Sequence, residues 1–280
     1  MWAIQFRNEL LKLVARKRTY IGFGVFLFVE AIVLGLFALS GTTEAFGLLL
    51  TKNGLELADG YTGLTLAGGI VYITVAMLGA LYMTLVSGDM VAKEVEDGTM
   101  RMILSRPVSR LRVIAIKAAV CVVHTFALVF FIGLTSLLAG ALYRGGLGNL
   151  VVFAPHEGVF AILPPGEGLR RYLLSLFFIG LTCQTISALG LMFSCFRMRP
   201  ATATILALSV FSVDFILRTI PYFNAFRGYF LTHHIDCWIH IFEPFVPWGR
   251  MAESLLLLAG LTISFWVIGA AGFCSRDLKA

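Results

Sequence analysis

The chain has 280 residues, 59% of them hydrophobic and 14% charged, with a mean hydropathy of +0.88. A water-soluble fold of this length cannot hide so much apolar surface, so a soluble protein is excluded. The formal charge of +6 would point to nucleic acid only if the cations gathered on one molecular face, and here they follow the membrane instead.

The first 17 residues set Trp2, Phe6, Leu10, Leu13 and Val14 on one side of a helical period, with Arg7, Asn8, Glu9, Lys12 and Arg16 elsewhere. This pattern predicts an amphipathic helix in the membrane interface, within an interfacial segment over residues 1 to 19. An apolar run at 20 to 40 follows; it is longer than the apolar region of a cleaved signal peptide and reads as a retained span. Further runs occupy 67 to 87, 118 to 143, 172 to 196, 201 to 220 and 254 to 275. About 20 apolar residues suffice to cross a hydrocarbon layer of about 30 Å with every backbone group bonded inside its helix. The expected fold class is therefore an all-α integral membrane protein with six transmembrane helices, forming a single transmembrane domain over residues 1 to 280.

An even number of spans puts both termini on one side. Fifteen Lys and Arg residues fall in the two tails, the 88 to 117 loop and the short 197 to 200 turn, against six in the opposite loops. The positive-inside rule then predicts that both termini are cytoplasmic. Four cysteines, Cys121, Cys183, Cys195 and Cys274, lie in apolar spans and Cys237 in a loop, so no intrachain disulfide is expected.

In the outer loops Pro155, Pro164, Pro165 and Gly166, and then Pro221, Pro244 and Pro247, break any long regular element. The 221 to 253 stretch keeps Tyr222, Phe223, Phe226, Tyr229, Phe230, Trp238 and Trp248, which favour the membrane-water boundary and predict short interfacial helices. Within it, HHIDCWIH brings His233, His234, Asp236, Cys237 and His240 into eight residues. These are zinc or copper ligand types, and on a helix His233 would neighbour Cys237 and Asp236 would neighbour His240. They do not supply a closed four-ligand set at familiar spacing, so no metal is expected, and His233, His234, Asp236 and His240 stand as the candidates should one bind.

Charges also fall inside spans. Glu30 lies at the centre of the first, and Asp214 and Arg218 sit four apart on one face of the fifth, where they can pair. A mid-membrane charge costs about 2.5 to 3.5 kcal/mol on insertion scales, so each should face protein or water. His124 in the third span reads as a hydrogen-bonded interior histidine.

Residues 88 to 117, GDMVAKEVEDGTMRMILSRPVSRLRVIAIK, form the longest inner loop and the most charged part of the chain. Met90 to Glu96 predicts a short helix carrying Lys93, Glu94 and Glu96, with Asp97 beyond it and Gly98 suited to the turn that follows. A second helix runs from Thr99 to Leu104 and breaks at Arg106-Pro107, and Ser109 caps the helix leading into the third span. Glu94, Gly98-Thr99, Leu104-Ser105, Pro107-Val108-Ser109-Arg110 and Lys117 together resemble the pattern of the type-2 ABC exporter permeases. Met102-Ile103 departs from a stretch usually richer in leucine, and Arg106 stands where the family varies. The likeness extends to the amphipathic N-terminus and the six-span plan.

The resemblance implies that this loop is a coupling helix docking into a separately encoded ABC ATPase. Lys93, Glu94, Glu96, Asp97, Gly98, Thr99, Arg101, Ser105, Pro107 and Arg110 would carry that contact. No GxxxxGK[ST] occurs, so ATP and Mg would belong to the partner; this chain would hold no cofactor and no catalytic residue. The family works as two permeases, here a second copy or a homologous chain, with two ATPases in a lipid bilayer. In relatives the first, second and fifth spans approach the twofold axis, which makes Glu30, Asp214 and Arg218 candidates for the translocation path or dimer seam. The expected location is multi-pass in a bacterial plasma membrane. A membrane-embedded enzyme would need a motif such as HExxH or GxSxG, and an ion-coupled secondary transporter would show two similar halves; neither feature is present.

Overall fold

The computed structural model describes residues 2 to 52, 56, 60 to 105 and 108 to 276, without the side chains of Ala45, Leu49, Arg101 and Leu104. Of the expectations above, Arg106, Pro107, the C-terminal cation Lys279 counted among the fifteen, and the side chains of Arg101 and Leu104 lie outside the described residues.

Helix α1, Trp2–Ala15, is the expected amphipathic element; it buries Leu13 and packs on the third span. The first span is α2, Lys17–Ala38, and α3, Ser40–Lys52, continues beyond it. The second span, α4, covers Gly63–Glu96 and starts at Thr62, whose hydroxyl accepts from the amide of Thr65. Its middle, Val75–Gly79, widens into a π-helical turn.

The expected break in α4 near residue 87 does not occur. Gly88 sits so close to Thr204 that a Cβ there would lie 2.7 Å from the threonine hydroxyl, and Arg18 forms an ion pair with Asp89. Packing and neutralisation of the polar turn let the helix continue to Glu96, so the first helix of the charged hairpin is the end of the second span rather than a separate element.

Past Gly98 comes α5, Thr99–Leu104, and then α6, Arg110–Arg144, capped as expected by Ser109, whose hydroxyl accepts from the Arg112 amide at 3.4 Å. Strands β1, Leu150–Ala154, and β2, Val159–Leu163, pair antiparallel with Val152 opposite Ala161, the one addition to an otherwise helical fold among the described residues. The fourth span, α7, Pro165–Cys195, and the fifth, α8, Pro200–Thr219, both begin at a proline, which lacks the amide that a first helical turn leaves unpaired. The outer segment folds into short helices, as its aromatic pattern predicts: a 3₁₀ stretch Pro221–Tyr229, α9 Leu231–Ile235, and a 3₁₀ stretch Asp236–Phe242. The sixth span is α10, Trp248–Cys274.

Helices α4, α6 and α7 make the interior. Half or more of each one's apolar window is buried, against 17 to 22% for α2, α8 and α10. Lipid tails are as apolar as leucine, so helices associate through close packing of small residues. At the remote ends of α4 and α6 this reaches backbone contact: a Cβ on Gly140 would lie 2.3 Å from the Gly63 carbonyl oxygen.

Candidate functional site

At the charged end of the bundle, the α4 to α5 turn rests on Gly98, whose φ of +72° is a conformation L side chains rarely adopt. The Thr99 hydroxyl donates to the Glu94 carbonyl at 3.2 Å and that of Ser105 to the Met102 carbonyl at 2.9 Å, which closes both ends of α5. On the outward side Lys93 lies 3.3 Å from both Glu96 and Asp97, all three about half exposed. Met102 is 66% exposed, an apolar residue on a charged surface. Arg110 donates to the carbonyls of Cys274 at 3.0 Å and Arg276 at 2.5 Å, and Arg276 in turn reaches those of Cys195 and Phe196.

Glu94 turns inward. Its carboxylate lies 2.8 Å from Lys117 of α6 and 3.6 Å from Lys12 of α1, and Glu9 of α1 completes a ring, 3.1 Å from Lys117 and 2.6 Å from Lys12. Two carboxylates and two ammonium groups alternate, so the ring is neutral. Burial pushes the Glu9 carboxyl up, but Lys117 and Lys12 outweigh it and hold it below the ordinary value. Lys12 is raised: burial works against its charge, and Glu9 and Glu94 overcome that. Lys117 was legible as part of the loop pattern, whereas Glu9 and Lys12 read only as the polar side of an interfacial helix.

Of the three intramembrane candidates, Glu30 is buried on α2 and accepts from the Thr135 hydroxyl of α6 at 3.0 Å. Asp214 and Arg218 do not pair with each other, a correction to the expectation from their spacing. Asp214 accepts from the amides of Leu231 and Thr232 at 2.9 and 2.7 Å, capping α9. Arg218 donates to the Thr232 carbonyl and lies 2.6 Å from Asp236 and 2.7 Å from Glu157. The outer segment folds back over the end of α8 and offers each group a partner with unmet hydrogen-bonding capacity, which a neighbour on the same helix cannot match. Glu157, in the turn of the β hairpin, has no signal in the sequence.

The histidine-rich segment does not converge on one point. His234 is held between Ser254 at 3.0 Å and the Gly228 carbonyl at 2.9 Å, and His240 lies 2.6 Å from Glu243. Burial lowers the His233 ring and pushes the Cys237 thiol up to about 12, so that thiol stays protonated. Among the described residues, the group with metal-ligand spacing is His156, Glu157 and Asp236, with ligand atoms within 4.8 Å of one another. Arg218 bridges both of its carboxylates and supplies the positive charge a cation would bring.

A cavity of about 390 Å³ lies between α4, α7 and α8. Val75, Ala76 and Met77 of the π turn form one wall, Ile179 and Ile186 of α7 a second and Phe211 of α8 a third, while Arg218 and Asp236 stand at its remote end. Arg218 lines this cavity; Glu30 and Asp214 are not among its lining residues. The arrangement joins a charged hairpin at one end of α4 to an apolar chamber half-way along it. The sequence family described as ABC-2 family transporter protein matches residues 4–260. No curated protein matches the chain.

Proposed function

The chain belongs to the ABC-2 family of transporter proteins as a multi-pass membrane permease component, and from this premise we propose that it is the translocating half of an ATP-driven exporter. Two copies, or this chain and a homologue, assemble with two ABC ATPase subunits that hold ATP and Mg. Both termini and the charged hairpin face the cytoplasm of the cell, with the permease in the plasma membrane. Lys93, Glu96, Asp97 and Met102 offer a mixed charged and apolar face for docking, while Glu94 acts indirectly by holding that face in register. The cavity lined by α4, α7 and α8 is the translocation path, and the exposed sides of α2 and α8 meet the second permease.

The observation that carries this reading is the continuity of α4 from cavity to hairpin. From Ala76 to Glu96 the helix spans about 30 Å at about 1.5 Å per residue. A push on α5 therefore reaches the cavity wall through a rigid rod, in the manner of rigid-body switching.

Cysteine placed at Met102 of the native complex, followed by cross-linking, tests the proposal. Capture of an ATPase of about 25 to 35 kDa, an ordinary domain size, is expected. Capture of no nucleotide-binding chain, or labelling of that cysteine from outside intact cells, would overturn it.

A further inference from the structure

A second cavity, about 320 Å³, lies beside the first, between the remote half of α4, the β hairpin and the outer segment. Tyr72 and Trp238 are the two residues common to both linings. Their ring centroids stand 6.2 Å apart at an interplanar angle of 50°. We infer that Tyr72 and Trp238 form an aromatic partition between the translocation path and a side chamber for lipid tails, so that the substrate is an acyl-chain amphiphile that passes sideways to the membrane. This inference rests on the proposed role of the cavity between α4, α7 and α8 as the path.

Three observations support it. Away from Tyr72, His156 and Trp238, the side-chain polar groups lining the side chamber are engaged with the protein: Tyr61 with the Phe37 carbonyl, Thr65 with Asn149 and Val151, Ser175 with the Tyr172 carbonyl, and Tyr172 with the Gly133 carbonyl. What they present to a ligand is hydrocarbon, and both chambers lie in the size range of sites for small organic molecules. The hairpin that walls the side chamber also carries exposed apolar side chains, Phe153, Phe160 and Ile162, as a lipid-facing surface does.

The second observation concerns the competing route. At the remote end of the path Arg218 is tied to Glu157, Asp236 and the Thr232 carbonyl, so axial passage must separate buried ion pairs. Lateral passage needs two aromatic side chains to turn. Third, the π turn begins three residues after Tyr72. Such turns are local departures from regular helical bonding that recur at functional sites, and this one lies where Tyr72 would have to shift. The Tyr72 hydroxyl, 3.4 Å from His156, supplies a polar contact beside the partition for a lipid headgroup or ester.

The test uses the full chain in phosphatidylcholine vesicles whose acyl chains carry bromine, a contact quencher of tryptophan. One variant keeps Trp238 and replaces Trp2, Trp248 and Trp266 with Phe. A second also carries Trp238→Phe and places the reporter in the path as Phe211→Trp. Brominated chains should quench Trp238 roughly twofold or more, since acyl chains partition into an apolar chamber, and iodide added outside should not. Gly68→Phe, where an added Cβ meets only Leu150 at 3.6 Å, should plug the side chamber and protect Trp238. Tyr72→Ala should raise bromine quenching of the Phe211→Trp reporter. Quenching of Trp238 by iodide rather than bromine, or a path reporter indifferent to Tyr72→Ala, would overturn the inference. These readings need neither ATP nor the partner subunit. Their failure in a protein that still cross-links through Met102→Cys would remove the lateral route alone and leave the coupling proposal standing.

Discussion

Lys117 of α6 and Glu94 at the end of α4 meet at 2.8 Å with side chains 1% and 6% exposed. An acidic residue in the charged 88 to 117 loop reads as a docking contact, yet here it is an internal tie. Through Glu9 and Lys12 the same ring holds α1 against the α4 to α6 hairpin, so α1, the charged hairpin and the third span are joined by charge at one place.

Removing one member of a buried pair strands the other charge, at a cost of about 3 to 5 kcal/mol. Lys117→Met should therefore lower the thermal stability of the purified chain strongly, while Lys117→Met with Glu94→Leu recovers most of it. Glu96→Gln, on the exposed side, should stay within about 0.5 kcal/mol but weaken association with the ATPase. Equal losses for Lys117→Met and Glu96→Gln would contradict the assignment of inner and outer roles.

The ring also sets a pH window. Glu9 is depressed, so its contribution is complete above its ordinary value of 4.5 and is lost as pH falls through the lower folded value. Lys12 is raised, so its share is complete below 10.5 and is lost as pH rises through the higher folded value. Lys12 is about half exposed and contributes the smaller part. Hydrogen exchange of α1 amides should be flat in protection factor between these limits and lose protection on acidification. A midpoint near neutrality would rule out this ring as the tether.

At Gly98 a Cβ would meet nothing within 4 Å, so the cost of substitution is conformational rather than steric. Gly98→Ala should cost about 1 to 2 kcal/mol for its left-handed backbone, and Gly98→Asn less. In the assembled complex ATP hydrolysis coupled to transport should fall in that order, with Ala worse than Asn. Identical activity for all three would show that the turn geometry does not transmit force.

Arg218→Met leaves Glu157 and Asp236 facing each other without their counter-charge, again a loss of about 3 to 5 kcal/mol. Limited proteolysis should then cut the 221 to 247 segment faster than in the unmodified protein. The same change exposes His156, Glu157 and Asp236 to a cation, so calorimetry should detect zinc binding by Arg218→Met and none at this trio in the parent.

Glu30→Gln should leave the fold almost unchanged, because the single Thr135 hydroxyl proton can turn instead to the Phe131 or Ile132 carbonyl; a lost bond here is worth about 1 kcal/mol. ATPase association should be retained and the transport rate altered. A normal rate would assign Glu30 to packing between α2 and α6.

Local and compositional features are legible in the sequence itself. Span number, the amphipathic α1, the stop at Gly98 and the cap at Ser109 each follow from residues within a few positions of one another. The bilayer makes such reading effective, since it obliges every crossing segment to satisfy its own backbone. The short outer helices followed likewise from prolines and aromatics. The unbroken α4 did not, because Ser87, Gly88 and Asp89 look like a terminus until Thr204 and Arg18 pack against them.

Composition and periodicity alone thus established six spans and a charged hairpin, and the resemblance of the loop motif supplied the permease family. Only the tertiary structure decided which charges face inward: Glu94 finds Lys117 on another helix, and Arg218 passes over Asp214 for Glu157, 61 positions away. The two chambers meeting at Tyr72 and Trp238 belong to the same class. An ion pair or a shared cavity wall depends on where distant segments come to rest, and no spacing along one helix records the position of another.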